Sequence, residues 1–216
     1  MKRKNIVILG AGNTADELIP ILDNLQKNKK FKINAIIDDD KKFYNKSVKG
    51  IPIEIGLENA IKKKNSLFVF GIGSYNNKNN RKKILDKTSL DLDKFPNIID
   101  STAKIESNVE LGYGNIIYPY SIICSGTKLK NFCLITHLNI LAHDVSVGSF
   151  SILGSRTSIL NNACIGKEVF IGANVLISEN ISVGDYSTII MSSVVFNNVK
   201  KNQTMFGNPA KLIKNG

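Results

Sequence analysis

The amino-acid sequence predicts two fold classes in one chain: a small parallel α/β sheet over residues 1–100 and an all-β parallel helix over residues 101–216. Two observations support this prediction. In the first segment, short apolar strands alternate with glycine turns and a helical pattern. In the second segment, an aliphatic residue stands at every sixth position from Ile105 to Val195, a regularity that indicates a structural repeat.

Three apolar strands are predicted in the first segment. The stretch NIVILGAGNTADELIPILDNL indicates a strand, a glycine turn and a helix with Leu18, Ile21 and Leu22 on its apolar face. INAIIDDD is a second strand that ends in acids. SLFVFGIGS is a third that ends at Gly71 and Gly73, where a sugar or phosphate contact and a plain turn are both open interpretations. The alternation predicts a small Rossmann-like parallel sheet, whose ligands bind at the carboxyl ends of its strands.

The first two strand ends carry further candidate binding residues. Gly10, Gly12 and Asn13 lie between the first strand and the helix, where backbone N–H groups and the helix N-terminus would face a phosphate. Asp38 and Asp39 end the second strand and are placed to accept hydrogen bonds from a ribose or a base. The segment is too short for a six-stranded dinucleotide-binding domain, so we expect a mononucleotide. A tight strand–helix turn without a ligand is the alternative.

The period of six suits one short strand plus one turn, and three such units close a triangular coil. The sixteen aliphatic positions then form about five coils, and a stacking distance of roughly 4.8 Å makes a prism about 25 Å tall. We expect the aliphatic side chains to fill its interior. Glycine follows the aliphatic residue at positions 112, 148, 154, 166, 172 and 184, and we expect these glycines in turns of positive φ.

His143 and Asp144 follow Leu141, one of the inward aliphatic residues, and therefore belong at a turn of the prism. An imidazole can accept a proton at physiological pH, and a neighbouring carboxylate can fix its tautomer and favour its protonated form. On the residues alone, a general base and a surface histidine are two open alternatives. His137, one hexad earlier, is interpreted as a surface residue.

Composition excludes several function classes. The formal net charge is +11, but the basic runs before residue 100 lack aromatic interleaving and any nucleic-acid-binding motif, so we predict a solvated surface and no nucleic-acid partner. The three cysteines have no metal-ligand spacing, which predicts free thiols and no metal site. Neither a membrane span nor a signal peptide is indicated, so a cytoplasmic location is expected.

The glycine turn, the uninterrupted hexapeptide repeat and the terminal GNPAK at residues 207–211 together resemble a bacterial family of hexapeptide-repeat sugar acetyltransferases. This is the sugar-nucleotide N-acetyltransferase and sialic acid O-acetyltransferase (PglD/NeuD-like) family, and the resemblance covers essentially the whole chain. It implies a left-handed parallel β-helix and a homotrimer with acetyl-CoA along the prism between subunits. It also implies a UDP- or dTDP-linked 4-amino-4,6-dideoxy sugar with its nucleotide in the N-terminal domain.

The resemblance also implies roles for individual residues. It makes His143 the general base, assisted by Asp144. Substrate contacts fall on Gly10, Gly12, Asn13, Asp38, Asp39, Gly71 and Gly73, and acetyl-CoA contacts on Ile152, Gly172, Ala173, Ser192 and Lys211. Ile152 stands where many members carry a second histidine. The expected activity is metal-free N-acetylation for lipopolysaccharide or capsule synthesis. The alternatives are O-acetylation of a sialic acid or related sugar, and a non-catalytic trimeric scaffold that binds a nucleotide sugar.

Overall fold

The computed structural model describes residues 4–27, 31–63, 65–74 and 80–215. The chain divides into two compact units between Pro96 and Asn97. This division lies slightly before the expected boundary at residue 100, because Ile98 and Ile99 already pair with Ile116 and Ile117 as a strand of the second unit. Among the described residues, none of the helices combines the length and the apolar character that crossing a membrane requires.

The first unit is an α/β sheet with helices between its strands. Its elements are β1 Lys4–Leu9, α1 Asn13–Lys27, β2 Phe31–Asp38, a 3₁₀ turn Lys41–Phe43, β3 Ser47–Val48, β4 Ile51–Ile55, α2 Glu58–Lys62, β5 Leu67–Phe70, α3 Asn80–Thr88 and a 3₁₀ turn Leu92–Lys94. The strand order is β3-β4-β2-β1-β5, parallel throughout except for the β3–β4 pair.

The hydrophobic pattern explains the central position of β1. Ile6, Val7, Ile8 and Leu9 are all fully buried, as expected for a parallel strand covered on both faces. The apolar stripe of α1 is buried too, and Leu18 and Leu22 have no exposed surface. The Rossmann-like parallel sheet predicted from the alternation of elements is therefore confirmed.

The second unit consists of two-residue strands that recur every six residues, followed by a hairpin. They are β6 Ile98–Ile99, β7 Lys104–Ile105, β8 Glu110–Leu111, β9 Ile116–Ile117, β10 Ile122–Ile123, β11 Lys128–Leu129, β12 Leu134–Ile135, β13 Ile140–Leu141, β14 Ser146–Val147, β15 Ile152–Leu153, β16 Ser158–Ile159, β17 Cys164–Ile165, β18 Phe170–Ile171, β19 Leu176–Ile177, β20 Ser182–Val183, β21 Thr188–Ile189, β22 Val194–Val195, β23 Gln203–Gly207 and β24 Ala210–Asn215.

These strands form the three faces of a prism. Face A contains β6, β9, β12, β15, β18 and β21 and continues into the β23–β24 hairpin; face B contains β7, β10, β13, β16, β19 and β22; face C contains β8, β11, β14, β17 and β20. Each strand of the prism pairs in parallel with the strand one coil further on, as Ile123 does with Leu141. Residues 18 apart in the sequence therefore stack directly on one another.

The repeated aliphatic residues fill the prism as predicted. From Ile117 to Val195 they are at most 4% exposed, whereas Ile105 and Leu111 are only partly buried because their strands end faces B and C. The small residues two positions earlier are buried as well. Several of their hydroxyls donate to carbonyl oxygens at the same corner of the next coil, as Thr127 does to Ala142 at 3.0 Å.

The expectation of positive φ at the glycines that follow the aliphatic residues is wrong. The left-handed residue stands two positions later in the hexad and is usually not glycine, for example Phe150 (φ 64°) and Asn162 (φ 61°). The glycines serve a different need, the close approach of neighbouring coils. A Cβ atom on Gly148 would lie 2.5 Å from the backbone carbonyl carbon of Gly166, a distance that real Cβ contacts do not reach.

Candidate active site

The carboxyl ends of β1, β2 and β5 border a cavity of about 840 Å³ in the first unit. Its lining brings together all seven residues for which the sequence predicted substrate binding. These are Gly10, Gly12, Asn13, Asp38, Asp39, Gly71 and Gly73. A cavity of this size lies within the range of small-molecule sites in proteins, and it occupies the position at which parallel α/β sheets bind ligands.

The glycine turns after β1 and β5 are in contact, which explains the glycines there. A Cβ atom on Gly71 would lie 2.5 Å from the carbonyl oxygen of Gly10, and a Cβ atom on Gly10 would collide with the side chain of Ile72. Gly10 also has a φ of +102°, which disfavours any residue with a Cβ atom. The two turns therefore need glycine to form this edge of the cavity.

Asp38 and Asp39 hold the loops of the cavity together. One carboxylate oxygen of Asp38 accepts a hydrogen bond from the Ala11 backbone N–H at 2.8 Å, across the glycine turn. Asp39 accepts hydrogen bonds from the Leu57 backbone N–H at 2.7 Å and from the Lys87 ammonium group at 2.8 Å. The Asp39 carboxylate raises the pKa of Lys87. The two carboxylates thus fix the positions of the loops that form the cavity wall.

Three lysines line the same cavity and were missed in the sequence, where they stand in or near basic runs. Lys42 pairs with Asp40, Lys87 pairs with Asp39, and the described residues offer Lys83 no acidic partner. Lys83 and Lys87 are four residues apart in α3, so they lie on one face of the helix. This four-residue spacing was the sequence signal by which Lys83 and Lys87 could have been identified. Because Lys42 and Lys87 are paired with Asp40 and Asp39, the groups of this lining placed to attract an anion are Lys83 and the N-terminus of α1.

His143 lies at the corner between faces B and C, and hydrogen bonds fix its backbone to the next coil. Its N–H donates to the Asn161 side-chain oxygen at 3.1 Å, and its carbonyl accepts from the Asn162 N–H at 3.0 Å. The Asp144 N–H donates to the Ser125 carbonyl at 3.2 Å in the preceding coil. The imidazole is exposed. The corner therefore presents an imidazole to solvent from a backbone position that is fixed by hydrogen bonds.

Glu106 and Cys124 lie close to this imidazole, and the sequence analysis did not recognise them as candidate site residues. A carboxylate oxygen of Glu106, the Cys124 sulfur and a ring nitrogen of His143 all lie within 4.8 Å of one another. Glu106 accepts a hydrogen bond from the Ser125 N–H at 3.1 Å, which holds the pKa of its carboxyl below the usual value, and Lys104 lies 3.5 Å away. Because a coil takes 18 residues, the spacing from Glu106 to Cys124 was the available signal.

The thiol of Cys124 differs chemically from a nucleophilic cysteine. Burial raises the pKa of the Cys124 thiol, and the negative charge of Glu106 raises it further. The thiolate is the form that attacks carbonyl groups. Since the thiol stays protonated near neutral pH, this side of the cluster does not supply a nucleophile, and the imidazole is its basic group.

The Asp144 carboxylate does not lie beside the His143 imidazole, where the sequence suggested that it would. Asp144 adopts a left-handed conformation with φ 58°, and its carboxylate lies over Gly126 in the coil below, where a Cβ atom would collide with it. Within the described chain, the Asp144 carboxylate and the His143 imidazole share no hydrogen bond. The carboxylate that the fold brings to the imidazole is that of Glu106.

The predicted acetyl-CoA residues lie on face A and on the corner after it. Ile152 is in β15 and only 2% exposed, whereas Ala173 and Ser192 are exposed at that corner, joined by a Ser192 N–H to Ala173 carbonyl bond of 2.9 Å. Gly172 precedes Ala173, and Lys211 is exposed in the hairpin that extends face A. One chain therefore groups these five residues with one another and not with His143.

His137, interpreted as a surface residue, lies at the corner after face A. It is half-buried, and its ring lies edge-on to Tyr118 with 4.8 Å between the ring centroids. The same corner carries Ala173 two coils later. His137 therefore packs against an aromatic ring, whereas His143 projects from a different corner beside Glu106.

A glycine-turn α/β unit followed by a hexapeptide prism defines the class to which this chain is similar, the hexapeptide-repeat sugar acetyltransferases. Residues 5–88 match the family described as the PglD N-terminal domain. The predicted resemblance is confirmed, and so is the fold class, a small parallel α/β sheet followed by a left-handed parallel β-helix.

Solved structures share this fold over nearly the whole chain. A histidine-to-asparagine mutant of perosamine N-acetyltransferase from Caulobacter crescentus, in complex with CoA and GDP-perosamine, is 21% identical, with a TM-score of 0.85 over 97% of each chain. The acetyltransferase domain of PglB from Neisseria gonorrhoeae, in complex with acetyl coenzyme A, is 20% identical, with a TM-score of 0.84 over 98% of this chain and 100% of that one. At these identities the similarity shows the fold.

A curated relative shares sequence similarity over about half of this chain. UDP-3-O-acylglucosamine N-acyltransferase from Wolinella succinogenes is 30% identical over 105 residues, which are 49% of this chain and 32% of the relative. The match thus spans about a third of that enzyme's length.

Proposed function

We propose that this protein is an acetyl-CoA-dependent N-acetyltransferase of a nucleotide-linked 4-amino-4,6-dideoxy sugar, with His143 as the general base. The observation that carries the proposal is the exposed, backbone-anchored imidazole beside the Glu106 carboxylate. UDP- and dTDP-linked sugars remain the first candidates from the sequence, and the GDP-perosamine bound by the Caulobacter relative adds a third nucleotide. The product would serve surface-glycan synthesis in the cytoplasm.

The reaction needs a base at one step. The amino nitrogen of the sugar attacks the carbonyl carbon of the acetyl thioester, and the His143 imidazole accepts the proton that the nitrogen loses. The tetrahedral intermediate then collapses, the carbon–sulfur bond breaks, and the CoA sulfur leaves with a proton from the imidazolium. The Glu106 carboxylate stabilises the imidazolium between these steps, because opposite charges at this separation attract. Glu106 therefore acts as a positioning residue.

The first unit supplies the binding site for the nucleotide end of the acceptor. The N-terminus of α1 and Lys83 are placed to bind phosphate oxygens, and the loop held by Asp38 and Asp39 surrounds the remaining space of the cavity. The substrate-binding role of the seven predicted lining residues belongs to this proposal. The amino group of the bound sugar must then reach a His143 imidazole.

Acetyl-CoA is assigned to face A and the corner that carries Ala173 and Ser192, with Lys211 available to a CoA phosphate. Since His143 occupies a different corner of the same prism, a complete site requires face A of one subunit beside the His143 corner of another. A homotrimer with cyclic symmetry satisfies this requirement three times with identical contacts. Ile152, the buried member of the set, would contribute apolar packing behind the cofactor.

A panel assay tests the proposed function. The full chain is incubated with acetyl-CoA and UDP-, dTDP- and GDP-linked amino sugars, their hydroxyl analogues and a free sialic acid, and released CoA thiol is measured. We expect acceptor-dependent CoA release and an N-acetylated product with one amino sugar. Transfer to hydroxyl acceptors alone would support O-acetylation. Tight nucleotide-sugar binding without any CoA release would contradict catalysis and support the scaffold.

A further inference from the structure

The cluster at the His143 corner contains three kinds of metal-ligating atom. They are a carboxylate oxygen of Glu106, the sulfur of Cys124 and a ring nitrogen of His143, and all lie within 4.8 Å of one another. The proposed mechanism uses the imidazole and the carboxylate but gives no role to the thiol. Glu106 and Cys124 follow paired residues of β7 and β10, so backbone pairing between coils holds two of the three ligands in one column.

This combination of ligands selects a particular kind of cation. Imidazole and thiolate bind Zn²⁺ well, whereas Mg²⁺ and Ca²⁺ prefer sets made only of oxygens. In a tetrahedral zinc site, bonds of about 2.0–2.3 Å place ligand atoms roughly 3.3–3.8 Å apart. The limit of 4.8 Å on the separations in the cluster is somewhat larger than this range. Rotation of the exposed His143 ring and of the Glu106 side chain, which is 27% exposed, would bring the three atoms to this separation.

We propose that Glu106, Cys124 and His143 bind one thiophilic divalent cation, with Zn²⁺ as the reference ion, and that the bound ion blocks acetyl transfer. Three protein ligands leave the fourth position to solvent, since His143 is exposed. Cys124 binds as the thiolate and releases its proton to the buffer. The bound ion occupies the lone pair with which the imidazole would accept the proton of the amine. The block rests on the proposed function, whereas the binding does not.

The ion pair between Lys104 and Glu106 does not prevent binding. The Lys104 ammonium lies 3.5 Å from the Glu106 carboxylate and is 68% exposed, so the pair contributes little free energy and yields to a divalent ion. Cys124 distinguishes this site from the many surface histidines that bind Zn²⁺ weakly, and its substitution removes the thiophilic ligand without touching the proposed base.

Metal binding by the full chain tests the site without an activity assay. Co²⁺ serves as a spectroscopic probe for thiolate ligation and Zn²⁺ as the competitor, with Cys124→Ser, His143→Ala and the matched control Cys164→Ser. Cys164 is an exposed thiol on face C, outside the cluster. We expect wild type and Cys164→Ser to show a thiolate-to-cobalt charge-transfer band that Zn²⁺ removes. Cys124→Ser should lose the band and bind Zn²⁺ at least about 10-fold more weakly.

Inhibition of CoA release tests the block separately. Zn²⁺ should inhibit wild type and Cys164→Ser alike, Mg²⁺ should inhibit neither, and Cys124→Ser should need at least about 10-fold more Zn²⁺ for the same inhibition. Equal Zn²⁺ affinity of Cys124→Ser and wild type, with unchanged thermal unfolding, would overturn the site. Zn²⁺ bound through Cys124 without inhibition would keep the site and contradict the role of His143 as base.

Discussion

The prism and the first unit form their candidate sites in different ways. At the prism corner, residues 125, 143 and 161 occupy equivalent backbone positions in successive coils, and only the side chains Ser125, His143 and Asn161 differ. In the first unit, each loop of the cavity occurs once, and hydrogen bonds such as that between Asp38 and Ala11 join loops far apart in the sequence. Substitutions at the corner should therefore change chemistry alone, whereas those in the cavity should also change its shape.

Within the first unit, the largest effect on this comparison is expected from the loop carboxylates. Replacing Asp38 and Asp39 together by Ala removes the hydrogen bonds that hold the loops of the cavity. A loss of about 1.4–2.8 kcal/mol in binding free energy, roughly the value of one charged hydrogen bond, should raise the KM of the sugar acceptor by about 10- to 100-fold. The KM of acetyl-CoA should not change, because its proposed site lies on the prism. Asp93→Ala, an exposed acid outside the cavity lining, is the control. Equal losses for both substrates in steady-state kinetics would contradict the assignment of separate sites.

Two glycine substitutions sharpen the comparison at the level of stability. Gly148→Ala places a methyl group 2.5 Å from backbone atoms of the next coil, and such overpacking costs about 1–3 kcal/mol. For a chain of this size, the melting temperature should fall by about 2–4 °C per kcal/mol. A Cβ atom on Gly12 meets nothing within 4 Å, so Gly12→Ala should leave the melting temperature unchanged. Calorimetry that shows equal changes for both variants would disprove the close-approach explanation.

A smaller effect separates the two acids beside His143. Glu106→Gln should lower kcat by about two- to fivefold, which corresponds to the ~0.5–1 kcal/mol of a partly exposed charge pair. Asp144→Asn should have less effect, because the Asp144 carboxylate lies over Gly126 in the coil below. High salt should reduce the Glu106→Gln effect by screening the wild-type interaction. A greater loss of kcat in Asp144→Asn would restore the role that the sequence suggested for this residue.

The smallest expected effect is a change in thiol reactivity. Burial and the Glu106 charge both raise the pKa of Cys124 above its usual value of 9.0, so little thiolate exists at pH 8 and alkylation by iodoacetamide should be slow. Raising the pH should increase the rate. Glu106→Gln removes one of the two causes, lowers this pKa and should accelerate alkylation at pH 8. Mass spectrometry of the Cys164 peptide from the same digest supplies the control, and an unchanged Cys124 rate would place Glu106 too far from the thiol.

The repeat explains how much of the prism was predictable. A strict period of six determines which residues point inward, and three faces of six residues place Glu106 and Cys124 in one column. The direction of the Asp144 side chain was not predictable, because it depends on a left-handed φ that the prism imposes on whichever residue occupies this position. The role of the inter-coil glycines was also missed, because it depends on the short distance between neighbouring coils, which the sequence does not show.

In the first unit, the parallel sheet, the apolar face of α1 and the binding residues at the strand ends were predictable, whereas the contacts between loops were not. Gly10 and Asp38 follow apolar strands, and parallel strands bring their carboxyl ends to one edge. The contact between Asp39 and Lys87 joins residues 48 apart, and it depends on how α3 packs, which no local pattern encodes. The exact end of the first unit was not predictable either. An isoleucine at position 98 fits a strand of either unit, and only the pairing of Ile98 with Ile116 assigns it to the prism.

The central claim is that His143 is the base for acetyl transfer, and His143→Ala tests it most directly. The variant keeps the backbone hydrogen bonds to Asn161 and Asn162, so its oligomeric state, melting temperature and ligand affinities should match those of wild type. Its kcat with the acceptor found in the panel assay should fall by about 10²- to 10⁴-fold, the contribution of a positioned acid–base group. His137→Ala, at another corner, should retain kcat. A His143→Ala protein with near wild-type kcat would contradict the account.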